Sequence, residues 1–304
     1  MMRVLLLFVF LALYSLSFGQ DDLMDDLMSE AESELSQDVI ATFKSTYLIN
    51  ANTIEMVKAN TLDFRITHRF GNIGGAAGGG VHTLYGFDVA QNVRFSFDFG
   101  ISDKWMIGFG RSKTKEHLDF STRYKLMQQS KTKPVTMVWF SVMGLTPMRN
   151  IDSRYDQFLH RLSFAHQVII ARKFNKKLSL EILPTYMYRN QVDLSINTDN
   201  NAQDENGLFA MGMAGRYKLG SRVSIVAEYF YNFSEFRQSN SAMPYYNHFG
   251  LGIEVETGGH VFHLNLTNSS GIILNDFLAD TPDAWGNGGF KFGFNISRVF
   301  NIGK

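Results

Sequence analysis

From about residue 60 to its end, the chain alternates apolar and polar residues with a period of two. Successive side chains of a strand point to opposite faces, so each such segment predicts a strand with one oily and one polar face. In 61–70, Leu62, Phe64, Ile66 and Phe70 oppose Asp63, Arg65, Thr67 and Arg69. In 92–100, Val93, Phe95, Phe97 and Phe99 oppose Asn92, Arg94, Ser96 and Asp98 without exception. Leu118, Phe120, Tyr124 and Leu126 repeat the pattern against Asp119, Ser121, Arg123 and Lys125, as do Leu180, Ile182, Tyr186 and Tyr188 against Glu181, Thr185 and Arg189. At the end, Phe290, Phe292, Phe294, Ile296 and Phe300 face away from Lys291, Gly293, Asn295 and Ser297. Counted together, the segments predict about twelve strands, near 60–70, 91–100, 104–112, 116–126, 134–144, 158–172, 177–189, 207–218, 222–233, 247–257, 260–269 and 288–300.

The connections alternate in length. Short links surround Ser102-Asp103, Asn175-Lys176, Gly220-Ser221 and Gly258-Gly259, and long ones fill 71–90, 145–157, 190–206, 234–246 and 270–287. Outer-membrane barrels pair short periplasmic turns with long external loops and have an even strand number. Only 113–115, short for an external loop, and 127–133, long for a turn, depart from the rule. A soluble sandwich also alternates, but its exposed face would be charged throughout. Here the polar face carries many small residues, such as Gly250 and Gly252 opposite Phe249, Leu251 and Ile253. A polar lumen tolerates them because no core need be filled there. The expected fold is all-β, an antiparallel up-and-down transmembrane β-barrel in the outer membrane of a Gram-negative envelope. Trp105, Trp139, Tyr186, Tyr188 and Tyr229 are candidate girdle or lipid-facing aromatics.

Composition agrees with this reading. Aromatic residues make up 14% of the chain, with 27 Phe, which suits rings that meet lipid. The mean hydropathy of −0.11 separates nothing, because only alternate residues of a barrel strand are oily. Met1, Met2 and Arg3, an apolar run over 4–14 and small residues at Ser17 and Gly19 have the layout of a signal peptide spanning 1–19. The absence of cysteine excludes acylation at a lipobox, disulfides and thiolate metal sites. Charge sums to zero but is uneven. Residues 20–38 hold eight acids and no base, leaving about +7 on the remainder beyond residue 38. That acidic segment reads as a mobile tail. Residues 39–59 read as a periplasmic arm, an inward plug or an extra strand, and 60–304 as the barrel.

Several strings resemble a known family: Thr42-Phe43-Lys44-Ser45-Thr46, His68-Arg69-Phe70-Gly71, the Gly-rich 74–80, His82-Thr83-Leu84-Tyr85-Gly86-Phe87-Asp88, Gly110-Arg111-Ser112, Ala165-His166-Gln167 and Ile170-Ala171-Arg172-Lys173-Phe174-Asn175. Together they are similar to an uncharacterised family of bacterial outer-membrane-type β-barrels. The resemblance implies barrel and location; it implies no substrate and no catalytic residue.

Candidate chemistry is sparse. The Gly-rich 74–80 lacks the lysine and following helix of a phosphate-binding loop, and is expected as an external loop or an inward constriction. His260 and His263, three apart on a strand, point to opposite faces. His248 and His260 are left as the pair to approach across the turn at 257–259. Ser163 and His166 are likewise on opposite faces, with no nucleophile-elbow motif, so an outer-membrane hydrolase is the least favoured class. No cofactor and no metal are expected. The distinctive set is the inward-facing ions: Arg65, Arg69, Arg94, Arg123, Lys125, Arg189, Arg216, Lys218 and Lys291 against Asp63, Asp98, Asp119, Glu181, Glu228, Glu254 and Glu256. A charged lumen selects permeants by sign; paired across a narrow bore, the same ions close it. The favoured function is a passive small-solute channel, porin-like and biased to anions by the basic excess. The alternative is a closed structural or docking barrel in an envelope complex. The expected partners are the lipid bilayer and a periplasmic or outer-membrane protein, not nucleic acid.

Overall fold

In the computed structural model, which describes residues 38–39, 41–75, 78–148, 157–192 and 194–303, every one of the alternating segments is a strand. They are β1 (Thr61–Asn72), β2 (Ala90–Ser102), β3 (Trp105–Ser112), β4 (Leu118–Met127), β5 (Thr136–Leu145), β6 (Leu162–Lys173), β7 (Leu178–Arg189), β8 (Gly207–Lys218), β9 (Val223–Asn232), β10 (His248–Thr257), β11 (His260–Thr267) and β12 (Lys291–Asn301). Each pairs antiparallel with its chain neighbours, and β1 also pairs with β12, with Ile66 opposite Ile296, so the sheet closes into a barrel. Expected and observed strand ends differ by a few residues. The largest difference is at β6, because Phe158–Arg161 form a 3₁₀ turn before the strand. Residues 1–19, expected as a signal peptide, and all but the last residue of the segment expected as an acidic tail lie outside the described residues.

The phase of the alternation sets the orientation of each strand. Phe95, Phe97, Trp105, Phe120, Trp139, Ile182, Tyr188 and Ile253 face outwards and are exposed, while their neighbours Arg94, Asp98, Arg123 and Glu181 are buried inside. An exterior of exposed Phe, Leu, Ile, Trp and Tyr around a closed ladder of backbone hydrogen bonds is the form in which a sheet is stable in hydrocarbon. One end of the barrel carries the connections 103–104, 128–135, 174–177, 219–222 and 258–259, all short but 128–135; the other carries the long ones together with the short 113–117.

The interior has two kinds of wall. Along β1 to β4 and β10 to β12 the inward side chains are mostly polar or charged. Along β5 to β9 many are apolar: Val138, Phe140, Val142, Ala165, Ile169, Leu183, Met187, Val226 and Phe230. Such a wall belongs to a filled core, not to a water-lined passage. Two segments outside the strands fill it. Residues 41–57 enter as a hairpin whose Phe43, Leu48, Ile49 and Ile54 join the apolar cluster. The β11–β12 connection folds inwards over 271–279, with a single helical turn, α1 (Leu274–Phe277), whose Phe277 packs on Phe230 (ring centroids 5.0 Å) and His248 (4.6 Å). The constriction at the long-loop end is therefore this segment and not the Gly-rich loop. That loop folds back on its own neighbours, with Gly74 N–H donating to Gly288 O at 3.0 Å and Gly80 N–H to Ile73 O at 3.0 Å.

Candidate functional site: the occupied lumen

The hairpin turns at residues 48–51. Tyr47 and Asn52 bridge, Leu48 N–H donates to Ala51 O (3.0 Å) and Thr53 N–H to Thr46 O (3.0 Å). A turn this tight leaves the N–H groups of its tip aimed outwards, and buried N–H groups need partners. Glu228, buried on β9, supplies them. Its carboxylate accepts from the backbone N–H of Ile49 (3.1 Å), Asn50 (2.7 Å) and Ala51 (2.8 Å), and lies 2.7 Å from His248 Nε2. From the other side, Asn295 on β12 donates to Leu48 O (3.0 Å) and Ile49 O (2.9 Å), while Arg69 on β1 donates to Ile49 O (3.2 Å) and Asn50 Oδ1 (2.8 Å). Asn50 Nδ2 in turn donates to Gly271 O at 2.9 Å, so the hairpin tip touches the inward-folded loop.

The hairpin stem is held by two further guanidiniums. Arg123 on β4 donates to Thr46 O (2.7 Å), Thr53 O (3.0 Å) and Asn52 Oδ1 (2.7 Å), and lies over the Tyr47 ring at 4.6 Å. Arg65 on β1 donates to Ser45 Oγ (2.9 Å) and Thr46 Oγ1 (2.8 Å) and covers the same ring at 4.7 Å. Lys44 pairs with Glu256 at 2.8 Å. Beyond the stem, Val39 N–H donates to Gln129 O (2.7 Å), which ties the chain to the β4–β5 connection at the short-turn end.

The other inward ions mostly pair with one another. Arg94 forms a fork with Asp119 (2.6 and 3.0 Å), Arg65 meets Asp63 (3.0 Å), and Glu254 is shared by Arg216 (2.6 Å) and His263 (3.0 Å). Asp98 accepts weakly from Thr46 Oγ1 at 3.4 Å. Lys291 and Arg189 reach loop carboxylates, Asp283 (2.6 Å) and Asp204 (2.8 Å). Lys125 and Lys218 are half-buried near the short-turn end, and Glu181 is buried with neither carboxylate oxygen hydrogen-bonded among the described residues. Fixed paired charges around an occupied interior describe this lumen, not a row of ions along open water. Small inward residues have a second reason here. A Cβ on Gly250 would come within 3.0 Å of Ile49 Cδ1, and one on Gly110 within 2.4 Å of the Arg94 guanidinium, so these glycines make room for what fills the bore.

Two weaker expectations resolve simply. His248 and His260 stand at opposite ends of β10 and β11 and do not approach; the ten-residue length of β10 separates them. Ser163 faces inwards and accepts from Asn275 Nδ2 (2.8 Å), whereas His166 faces lipid and lies 2.8 Å from Ser141 Oγ. The hairpin's contacts escaped sequence reading because residues 41–57 carry no period. The signal that marks them is the doubly apolar run of β5, Thr136–Leu145, which has no polar face to offer a lumen.

Residues 43–300 match the family model described as "Membrane bound beta barrel domain (DUF5777)". Among solved structures, the chain is similar to the NanC porin (9% identity, TM-score 0.47, covering 78% of this chain and 98% of that one). It is also similar to the KdgM porin (6%, 0.43, 79% and 99%) and to the Acinetobacter baumannii outer membrane protein Omp33 (6%, 0.39, 79% and 98%). No curated protein matches.

Proposed function

The chain belongs to the family of the membrane bound beta barrel domain (DUF5777), and from that premise we propose that this outer-membrane β-barrel is a small-solute channel held closed at rest by its own N-terminal hairpin. The observation that carries the reading is the way the bore is filled. Twelve strands make a bore wider than that of a filled eight-stranded barrel, and much of its filling is a separate segment gripped through polar contacts by Arg65, Arg69, Arg123 and Glu228. A segment held by hydrogen bonds outside the strand ladder can trade those bonds for water as a unit and leave the ladder whole, so it is a removable stopper, whereas a strand side chain is not. Once it leaves, Arg123 and Arg69 lose their hairpin partners and Arg65 keeps Asp63, while Glu228 and Glu256 are uncovered; the inward set as a whole, nine bases against seven acids, biases the opened bore towards anions.

A second reading, a closed docking barrel, is favoured by the apolar contacts of Phe43, Leu48, Ile49 and Ile54. Burying each such side chain is worth about 1.5–3 kcal/mol, and withdrawal of the hairpin forfeits that. Planar-bilayer recording of the full chain and of a variant lacking 38–57 separates the two. The channel reading expects rare openings in the full chain and steady, anion-preferring conductance in the variant. A folded variant that stays silent would establish the docking barrel instead.

A further inference from the structure

We propose that the long-loop end of the barrel carries a binding site for small organic acids. The site is a cavity of about 400 Å³ bounded by the β3–β4, β5–β6, β7–β8 and β9–β10 connections and, on its inner side, by Asn275 and Ala279 of the inward-folded segment. That volume falls in the range of pockets that hold small ligands. Four permanently basic side chains line it, Lys115, Arg161, Arg189 and Arg237, against two carboxylates, Asp204 and Asp280.

The positive charge is poorly compensated. Asp204 is shared by Arg189 (2.8 Å) and Arg237 (2.9 Å), and Glu205 reaches Arg237 only at 3.4 Å from a one-third-exposed position. Lys115 meets Asp280 at 3.8 Å with both groups exposed, a pair that solvent screens almost entirely. Arg161 donates to the carbonyls of Thr146 and Met148 and pairs with no carboxylate among the described residues. A concave, low-dielectric wall with an excess of one sign concentrates ions of the other, and planar guanidiniums suit carboxylates geometrically. Leu162 and Val192 add apolar lining that a carbon skeleton fills and a bare inorganic anion does not. Within the channel reading, on which its role as a substrate site rests, this is where an acid from outside is captured before the stopper.

Calorimetry on the detergent-solubilised full chain at fixed ionic strength tests the site, with succinate as probe, its neutral isostere succinamide as control and inorganic phosphate as competitor. Succinate should bind, succinamide should not, and phosphate should bind less tightly. Lys115→Glu and Arg161→Ala should each weaken succinate several-fold, up to about tenfold, with unchanged β-sheet circular dichroism. Equal heats for succinate and succinamide would overturn the site, as would unchanged affinity in both folded variants. Phosphate binding as tight as succinate would overturn the organic-acid assignment. Binding is read here without conductance, so a silent channel with intact succinate binding would sink the channel reading and leave the site standing.

Discussion

Glu228→Gln is the sharpest perturbation of the stopper. The carboxylate receives three consecutive backbone N–H groups of the hairpin tip and faces His248, all within 3.1 Å, in a fully buried position. Glutamine keeps the shape, loses the charge and replaces one acceptor oxygen with a donor. At least one tip N–H then points at an NH₂ group, and the rest keep a neutral partner. Hydrogen bonds to a charged group are worth about 1.5–3 kcal/mol, and a buried donor left unmet costs about 1–3 kcal/mol. The hairpin is therefore loosened by roughly 2–5 kcal/mol, while the barrel's strand ladder keeps every bond. At about 1.4 kcal/mol per decade, the displaced fraction rises by roughly 30-fold to a few thousand-fold. Two measurements read it: open probability in planar bilayers, and amide exchange at residues 48–53. If both stay at wild-type values in a folded Glu228→Gln barrel, the carboxylate does not hold the hairpin and the argument for a polar latch fails.

Two further expectations concern the long-loop end. Epitope tags near residues 200 and 240 should be labelled on intact cells and a tag near 220 masked, since the β8–β9 turn lies at the opposite end from the β7–β8 and β9–β10 connections; labelling at 220 alone would invert the orientation. Asp199 clasps Ser241 across two loops, accepting its N–H (2.7 Å) and its hydroxyl (2.9 Å), and those bonds hold the carboxyl below its usual 3.8. A depressed folded value stabilises above the unfolded one, so the clasp is present above about 3.8 and is lost as pH falls through the folded value. The protection factor of the Ser241 amide, its exchange relative to the unprotected rate at the same pH, should fall on acidification in the wild type and not in Asp199→Asn.

The barrel was legible because a strand writes its two environments into alternate residues. Phe95, Phe97 and Phe99 against Arg94, Ser96 and Asp98 leave one phase only, since an arginine facing lipid at mid-bilayer costs about 2–4 kcal/mol. Loop lengths supplied the closure and the two ends. The filling was legible only as one of three readings of 39–59, an arm, a plug or an extra strand, because residues 41–57 and 271–279 meet several strands at once and inherit no period from any of them. Their trace lies in the strands they touch. Val138, Phe140 and Val142 give β5 two oily faces, and an inward oily face in a barrel this wide implies something apolar inside it. Reading Gly250 as tolerated by an empty lumen reversed the cause, since Ile49 occupies the space that a side chain there would need. The cavity at the long-loop end was equally hidden: Lys115, Arg161 and Arg237 come from separate connections, and only the closed topology brings them together.

The hairpin tip also bears on how the molecule is made. Asn295 and Arg69, which grip it, bond to each other at 3.1 Å across the β1–β12 seam, and the contact between Leu48 and Asn295 spans 247 positions of chain. The seam joins the first strand to the last, so it forms only after the intervening strands are laid down, and contacts of such long range are slow to find. Its inner surface is complete only with residues 48–50 in place. The N-terminal segment must therefore wait within the growing sheet while the other strands assemble, and the final zippering of β12 onto β1 seals it in. A sheet that closed first would leave the segment to thread in from the short-turn end, where Val39 meets Gln129, the slower route and the one it retraces after each opening. Biogenesis of this barrel thus has an order imposed from within, and a variant lacking residues 38–57 should zip its β1–β12 seam at a different rate from the full chain while reaching the same closed ladder.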